Sequence, residues 1–179
     1  MRVWSIPNTI TTIRILIIPG FVTALVYNRL RYALLLFVIA SLSDALDGLL
    51  ARMTNQQTKL GAFLDPLADK ILLITSFILL SVYGWLPRWL TITVISRDII
   101  VVLGWVLLYL VYDITKVKPT VTGKAAIASQ SMLIAYVLLS INFSQVPSPP
   151  RWVFWTVAAL TTMSGLQYIY GGLRQASER

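Results

Sequence analysis

The stretch DALDGLLARMTNQQTKLGAFLDPLAD, residues 44–69, holds four of the seven acidic residues in a chain of 179. Apolar runs flank it on both sides. Asp44 and Asp47 stand three apart and Asp65 and Asp69 four apart, the spacings that put two side chains on one face of a helix. The joint between the pairs is short, so the two segments read as antiparallel neighbours whose acidic faces turn toward one another.

Outward from this stretch the composition is that of a membrane protein. Hydrophobic residues make up 57% of the chain and charged residues 12%, with a mean hydropathy of +0.76, and a water-soluble surface cannot be built from such a mixture. Runs of about 20 apolar residues, long enough to cross a hydrocarbon core of roughly 30 Å, recur throughout. They predict an all-α integral membrane protein with six transmembrane helices, at about residues 9–28, 32–53, 61–84, 88–112, 121–142 and 152–173. One domain over residues 1–179 is expected. Asn28, Gly84 with Pro87, Pro119 with Gly123, and the SQVPSPP segment at 144–150 punctuate the runs. Pro7 and Asn8 precede the first, where Asn8 is placed to cap it. That run, Ile10 to Tyr27, is interrupted by Arg14 and Pro19 and is too long for a cleavable signal peptide, and no transit peptide is expected.

The chain contains no cysteine and no histidine, which removes disulfides, thiol nucleophiles, imidazole catalysis and the usual zinc ligands. A serine nucleophile at Ser43 has no adjacent base. The net charge of +8 is spread between apolar runs without interleaved aromatics, which argues against nucleic acid and for lipid headgroups. Arg2, Arg14, Arg52, Lys59, Lys116, Lys118, Lys124, Arg174 and Arg179 fall on one predicted face, and Arg29, Arg31, Arg88 and Arg151 on the other. The positive-inside bias then places both termini and the 44–69 stretch in the cytoplasm. Trp4, Trp85, Trp89, Trp152 and Trp155 lie near predicted span ends, as an interfacial belt requires.

Four carboxylates in one partly desolvated pocket repel, and a divalent cation relieves that repulsion. Oxygen-only ligands select magnesium, manganese or calcium, and four carboxylates suffice for two ions. The aspartates would lie roughly 5 to 15 Å below the membrane surface by the helical rise, near the depth of lipid phosphates. Asp65 before Pro66 also reads as a helix N-cap, which accounts for one aspartate of the four. Gly48, Ala51 and Gly61 permit close approach, to a ligand or to a packed helix, and Arg52 at the rim suits bidentate phosphate binding.

Asp44, Asp47, Gly48, Ala51, Arg52, Gly61, Asp65 and Asp69 together resemble the complete motif of the CDP-alcohol phosphatidyltransferases, membrane enzymes that displace CMP from a CDP-alcohol with an acceptor hydroxyl. The resemblance implies that the four aspartates hold two Mg2+ or Mn2+ ions, that Asp69 is also the general base, and that Gly48, Ala51, Arg52 and Gly61 line the CDP site. It further implies a homodimer with CDP-diacylglycerol as donor, while the expected absence of a transit peptide and the charge bias point to a bacterial inner membrane with the active site facing the cytoplasm. The segments WSIPNTITTIR at 4–14, ISRDI at 95–99, KPTVTGK at 118–124 with Gln130, and SGLQYIYGG at 164–172 are similar to CMP-forming cardiolipin synthases, whose acceptor is phosphatidylglycerol and product cardiolipin. The alternative acceptor, glycerol 3-phosphate, belongs to phosphatidylglycerophosphate synthases, which typically carry Arg-Glu in the fourth helix and a second arginine eight residues on. Here Arg97 precedes Asp98, and Trp105 holds the later position. Both subfamilies often place a threonine within three residues after the position of Lys124, where this chain has AlaAlaIle.

Arg97 lies within the fourth predicted span and needs an anion there. Asp98 leaves that helix about 100° away, so an acceptor phosphate or an aspartate of another helix is the expected partner. Lys118 and Lys124 complete the candidate acceptor site, although the positive-inside bias alone would also place them. Arg14 is expected in an ion pair or headgroup contact. A reading from a different class, a cation channel or transporter with an aspartate-lined path, predicts acids at the midplane on broken helices instead of a cluster at one face.

Overall fold

The computed structural model describes the backbone of residues 6–54, 59–112 and 120–177, and the side chains of 16–43, 70–107, 110 and 120–174. These residues form six α-helices and no strand: α1 (Ile6–Val26), α2 (Leu30–Thr54), α3 (Lys59–Val82), α4 (Arg88–Tyr112), α5 (Val121–Asn142) and α6 (Arg151–Ser177). The all-α class is as expected, and α4 and α5 have the expected bounds. Arg88–Leu107 and Val121–Asn142 are long and apolar enough to cross a membrane, while Leu16–Val26, Leu30–Ser43 and Lys70–Val82 are shorter apolar stretches.

Helix ends differ from the sequence reading where local chemistry overrides hydropathy. Helix α1 starts at Ile6, so Asn8 falls within its first turn and is not the cap; Pro7 beside it needs no helical donor there. At the other end Asn28 takes φ 55°, its N–H bonds to the Leu25 carbonyl at 3.0 Å and the Arg29 N–H to Ala24 at 2.7 Å. This paired closure is a Schellman cap with asparagine in the left-handed position. Gly84 at φ 78° ends α3 in the same conformational region, with its N–H 3.1 Å from the Ser81 carbonyl. Helix α6 runs through Gly171 and Gly172 to Ser177, since a helical glycine costs only about 1 kcal/mol.

The described residues fall into two compact units. The first comprises residues to Leu80 with Ile134–Ser148. Here α1 packs on α2, burying Phe21 and Leu25 of one and Ala33, Phe37 and Ala40 of the other at the three- and four-residue spacing of facing helices. The rings of Phe21 and Phe37 lie 6.0 Å apart. Asn142, closing α5, donates to the Leu30 carbonyl at 3.1 Å and so occupies an acceptor at the start of α2.

The second unit comprises Ser81–Leu133 and Pro149–Arg179, and its frame is α4 packed on α6. Trp89 and Trp155 stack at 4.6 Å near the starts of these two helices. Leu90, Val94, Val157 and Ala158 are buried, whereas Ile99, Leu103, Leu107 and Leu110 of α4 are exposed. An outward face of this length and apolarity suits hydrocarbon surroundings.

Candidate functional site

Asp44 and Asp47 sit in the C-terminal half of α2, and Asp65 and Asp69 in the N-terminal half of α3. Both helices are continuous through these positions, so each pair keeps the spacing that shares a helix face. Helix α3 begins at Lys59, which places Asp65 and Pro66 well inside it and removes the N-cap reading of Asp65. Pro66 cannot donate to the Ala62 carbonyl, an interruption that helices tolerate only for a reason. The side chains of Asp44, Asp47, Gly48, Ala51, Arg52, Gly61, Asp65 and Asp69 lie outside the described residues, as do Lys118 and the side chain of Arg14. Among the described residues no three acidic groups come together.

The described part of the site is the candidate acceptor region, where α4, the first turn of α5 and α6 meet. Arg97 of α4 is its centre. Its Nη2 donates to Ser164 Oγ of α6 at 2.6 Å, and its Nη1 pairs with Asp98 Oδ1 at 2.8 Å. The expectation that Asp98 points away from Arg97 is therefore corrected. A rotation of 100° separates two Cα positions, but the long arginine side chain curls round the helix far enough to close the gap. Both side chains are largely buried, 11% and 16% exposed, and pairing removes the cost of an isolated charge. The third guanidinium nitrogen, Arg97 Nε, is buried with no hydrogen-bond partner among the described residues.

Two glycines allow this arrangement. A Cβ on Gly165 would come 3.2 Å from Arg97 Cγ, and one on Gly123 would come 3.6 Å from Arg97 Nη2 and 3.1 Å from Thr120 Oγ1. Helix α5 can thus lay its first turn against the guanidinium. Thr120 is the N-cap of α5, its hydroxyl accepting from the Gly123 N–H at 3.1 Å, an interaction not singled out from the sequence although a threonine before an apolar run is its usual sign. Thr122 donates to Gln167 Oε1 at 2.5 Å, and buried Gln130 donates to buried Thr161 at 2.9 Å. These two bonds tie α5 to α6 about two turns apart. Lys124 is exposed at the start of α5, one residue beyond the glycine that meets Arg97.

Arg97, Asp98 and Ser164 thus form a charge-balanced cluster with one buried donor, Arg97 Nε, left without a partner among the described residues. Residues 4–163 match the family model described as CDP-alcohol phosphatidyltransferase, and the chain belongs to this family of enzymes. It is 31% identical to the human CMP-forming cardiolipin synthase over 93% of its own length and 61% of that protein's, so it spans about three fifths of that relative. It is also 31% identical to a probable phosphatidylglycerophosphate synthase of Mycobacterium tuberculosis, over 98% of this chain and 88% of the relative. With the CDP-diacylglycerol–glycerol-3-phosphate 3-phosphatidyltransferase of Salmonella typhimurium it shares 33% identity over 93% of each chain.

Proposed function

We propose that the chain is a membrane phosphatidyltransferase that moves the phosphatidyl group of CDP-diacylglycerol to a hydroxyl of phosphatidylglycerol, giving cardiolipin and CMP. The observation that carries this reading is the family match over residues 4–163, together with all eight motif positions on the consecutive helices α2 and α3. The donor set of Asp44, Asp47, Asp65 and Asp69 is all carboxylate and fits hard divalent cations. When bound there, Mg2+ or Mn2+ would neutralise pyrophosphate charge. Asp69 takes the proton of the acceptor hydroxyl as its oxygen forms a bond to the phosphorus that carries diacylglycerol. The bond from that phosphorus to the CMP oxygen breaks, and CMP departs with both electrons. Arg52, with Gly48, Ala51 and Gly61 leaving room, holds the CDP phosphates.

Acceptor choice rests on charge. Arg97 already has Asp98 as its counter-ion, and Trp105 stands where a second arginine would serve a phosphomonoester. Glycerol 3-phosphate carries about −1.5 to −2 charges near neutrality, like other phosphomonoesters, whereas the phosphodiester of phosphatidylglycerol carries one and asks for fewer cations. Arg97, Lys118 and Lys124 are assigned to this acceptor. The relatives named as a probable phosphatidylglycerophosphate synthase and as a glycerol-3-phosphate 3-phosphatidyltransferase, matched over 88% and 93% of their own lengths, favour phosphatidylglycerophosphate synthesis as the second reading. We further assign the chain to a bacterial inner membrane as a six-span homodimer of one catalytic domain, with its active site facing the cytoplasm. Purified protein given CDP-diacylglycerol, Mg2+ and either acceptor in parallel tests the assignment: cardiolipin identified by mass supports it, and phosphatidylglycerophosphate as sole product replaces it with the alternative.

A further inference from the structure

Beside Arg97, on the α4–α6 face, runs an open groove of about 330 Å³ lined by Ile92 and Ile100 of α4 and by Gly165, Leu166 and Ile169 of α6, with Arg97 contributing to its wall. Its volume is at the lower end of ligand sites. From Ile92 to Ile100 it extends about 12 Å by the helical rise, close to the hydrocarbon depth of one leaflet, roughly 15 Å. Thr93, Ser96 and Thr162 also line it; the two threonine hydroxyls donate to their own helices, at Trp89 and Ala158, which leaves the exposed Ser96 hydroxyl as one polar point on the wall. The channel therefore presents hydrocarbon almost throughout.

Arg97 belongs to both environments. Its stem crosses Gly165, where even a Cβ would sit 3.2 Å from Arg97 Cγ, and its guanidinium lies in the polar cluster with Ser164 and Asp98. A ligand that uses the two together carries an anionic head joined to an alkyl tail. A water-soluble phosphate ester would leave the groove unused.

We propose that this groove holds an acyl chain of the acceptor phospholipid, so that α4 and α6 select a lipid acceptor by its tail while Arg97 receives its phosphodiester. The occupant belongs to the acceptor because α4 and α6 carry none of the eight positions assigned to CDP and metal. The proposal rests on the phosphatidylglycerol reading above. Lipid tails are as apolar in the bilayer as in the groove, so the groove contributes alignment and selection more than affinity.

The test compares oleoyl and hexanoyl phosphatidylglycerol as acceptors for wild type, Thr93→Trp and Thr162→Phe, and adds photolabelling of the wild type with phosphatidylglycerol bearing a diazirine in its acyl chain. Wild type should prefer the oleoyl lipid. Each groove-filling variant should lower the oleoyl-to-hexanoyl ratio of kcat/KM by about tenfold or more, the scale on which an apolar pocket discriminates. The label should fall on α4 and α6 peptides. A ratio unchanged in both variants, or label confined to other helices, overturns the proposal. The absence of cysteine from the chain makes Leu166→Cys a clean control: a disulfide-linked dimer forming through it would assign the groove to a second copy and also overturn the proposal. If wild type makes cardiolipin from no phosphatidylglycerol, the acceptor reading fails by itself, and the photolabel then decides the groove.

Discussion

Arg97 on α4 and Ser164 on α6, 67 residues apart in sequence, meet at 2.6 Å over the buried Gly165. This contact, with the Asp98 pair, fixes the guanidinium as a fork between two helices.

Arg97→Lys keeps the charge but cannot span both partners. Hydrogen bonds to charged groups contribute about 1.5–3 kcal/mol each, so losing one and disturbing acceptor contact should lower kcat/KM for the acceptor by about 100-fold. Equilibrium binding of CDP-diacylglycerol, measured in parallel, should stay near the wild-type value. Equal losses in both would show that Arg97 supports the fold and not the acceptor.

Asp98→Asn removes the internal anion and leaves Arg97 more available to a phosphate. The variant should lose stability, by about 3 kcal/mol on the scale of broken buried pairs. Among acceptors it should shift preference toward glycerol 3-phosphate, raising that substrate's share of product in a competition assay. An unchanged product ratio would contradict the charge-matching argument.

Gln130 and Thr161 form a buried polar pair, so their substitution should be strongly non-additive. Gln130→Leu alone strands the Thr161 hydroxyl at a cost of about 1–3 kcal/mol, whereas Gln130→Leu combined with Thr161→Val should recover much of it. Thermal unfolding in detergent reads the cycle. Additive losses would mean that the two side chains act separately.

Asn28 holds a left-handed conformation at φ 55°, which costs most side chains roughly 1–2 kcal/mol. Asn28→Gly should leave the melting temperature within a degree or two of wild type. Asn28→Val should lower it clearly. Indifference to both would mean that the α1–α2 turn relaxes to another shape.

Asp69→Asn should abolish CMP release while retaining most CDP-lipid binding, because the amide keeps the size of the carboxylate but neither its basicity nor its charge. Chelation of divalent cations should abolish release as well, with recovery on adding Mg2+ or Mn2+. Full turnover in the variant would remove the assigned base.

Hydropathy together with the turn residues between runs made six helices legible, although among the described residues only Arg88–Leu107 and Val121–Asn142 are long and apolar enough to cross a membrane; the acidic pairs are legible as helical spacings on α2 and α3, and their side chains lie outside the described residues. Finer features depend on rotamers and on which helices become neighbours. The Arg97–Asp98 pair was misread because Cα directions do not limit a side chain with several rotatable bonds. Gln130 stood out in the sequence, yet nothing there names Thr161 as its partner. Gly123 and Gly165 read as ordinary glycines until a guanidinium and its stem are found against them.

The Trp89–Trp155 stack, at 4.6 Å between ring centres, ties together the leading turns of α4 and α6. Two indoles this close couple their strong electronic transitions, so the far-ultraviolet circular dichroism of the chain should carry an exciton couplet from that pair. Its amplitude is a built-in optical gauge of whether the two helices stay clasped when a lipid enters, and it can be followed without attaching a dye.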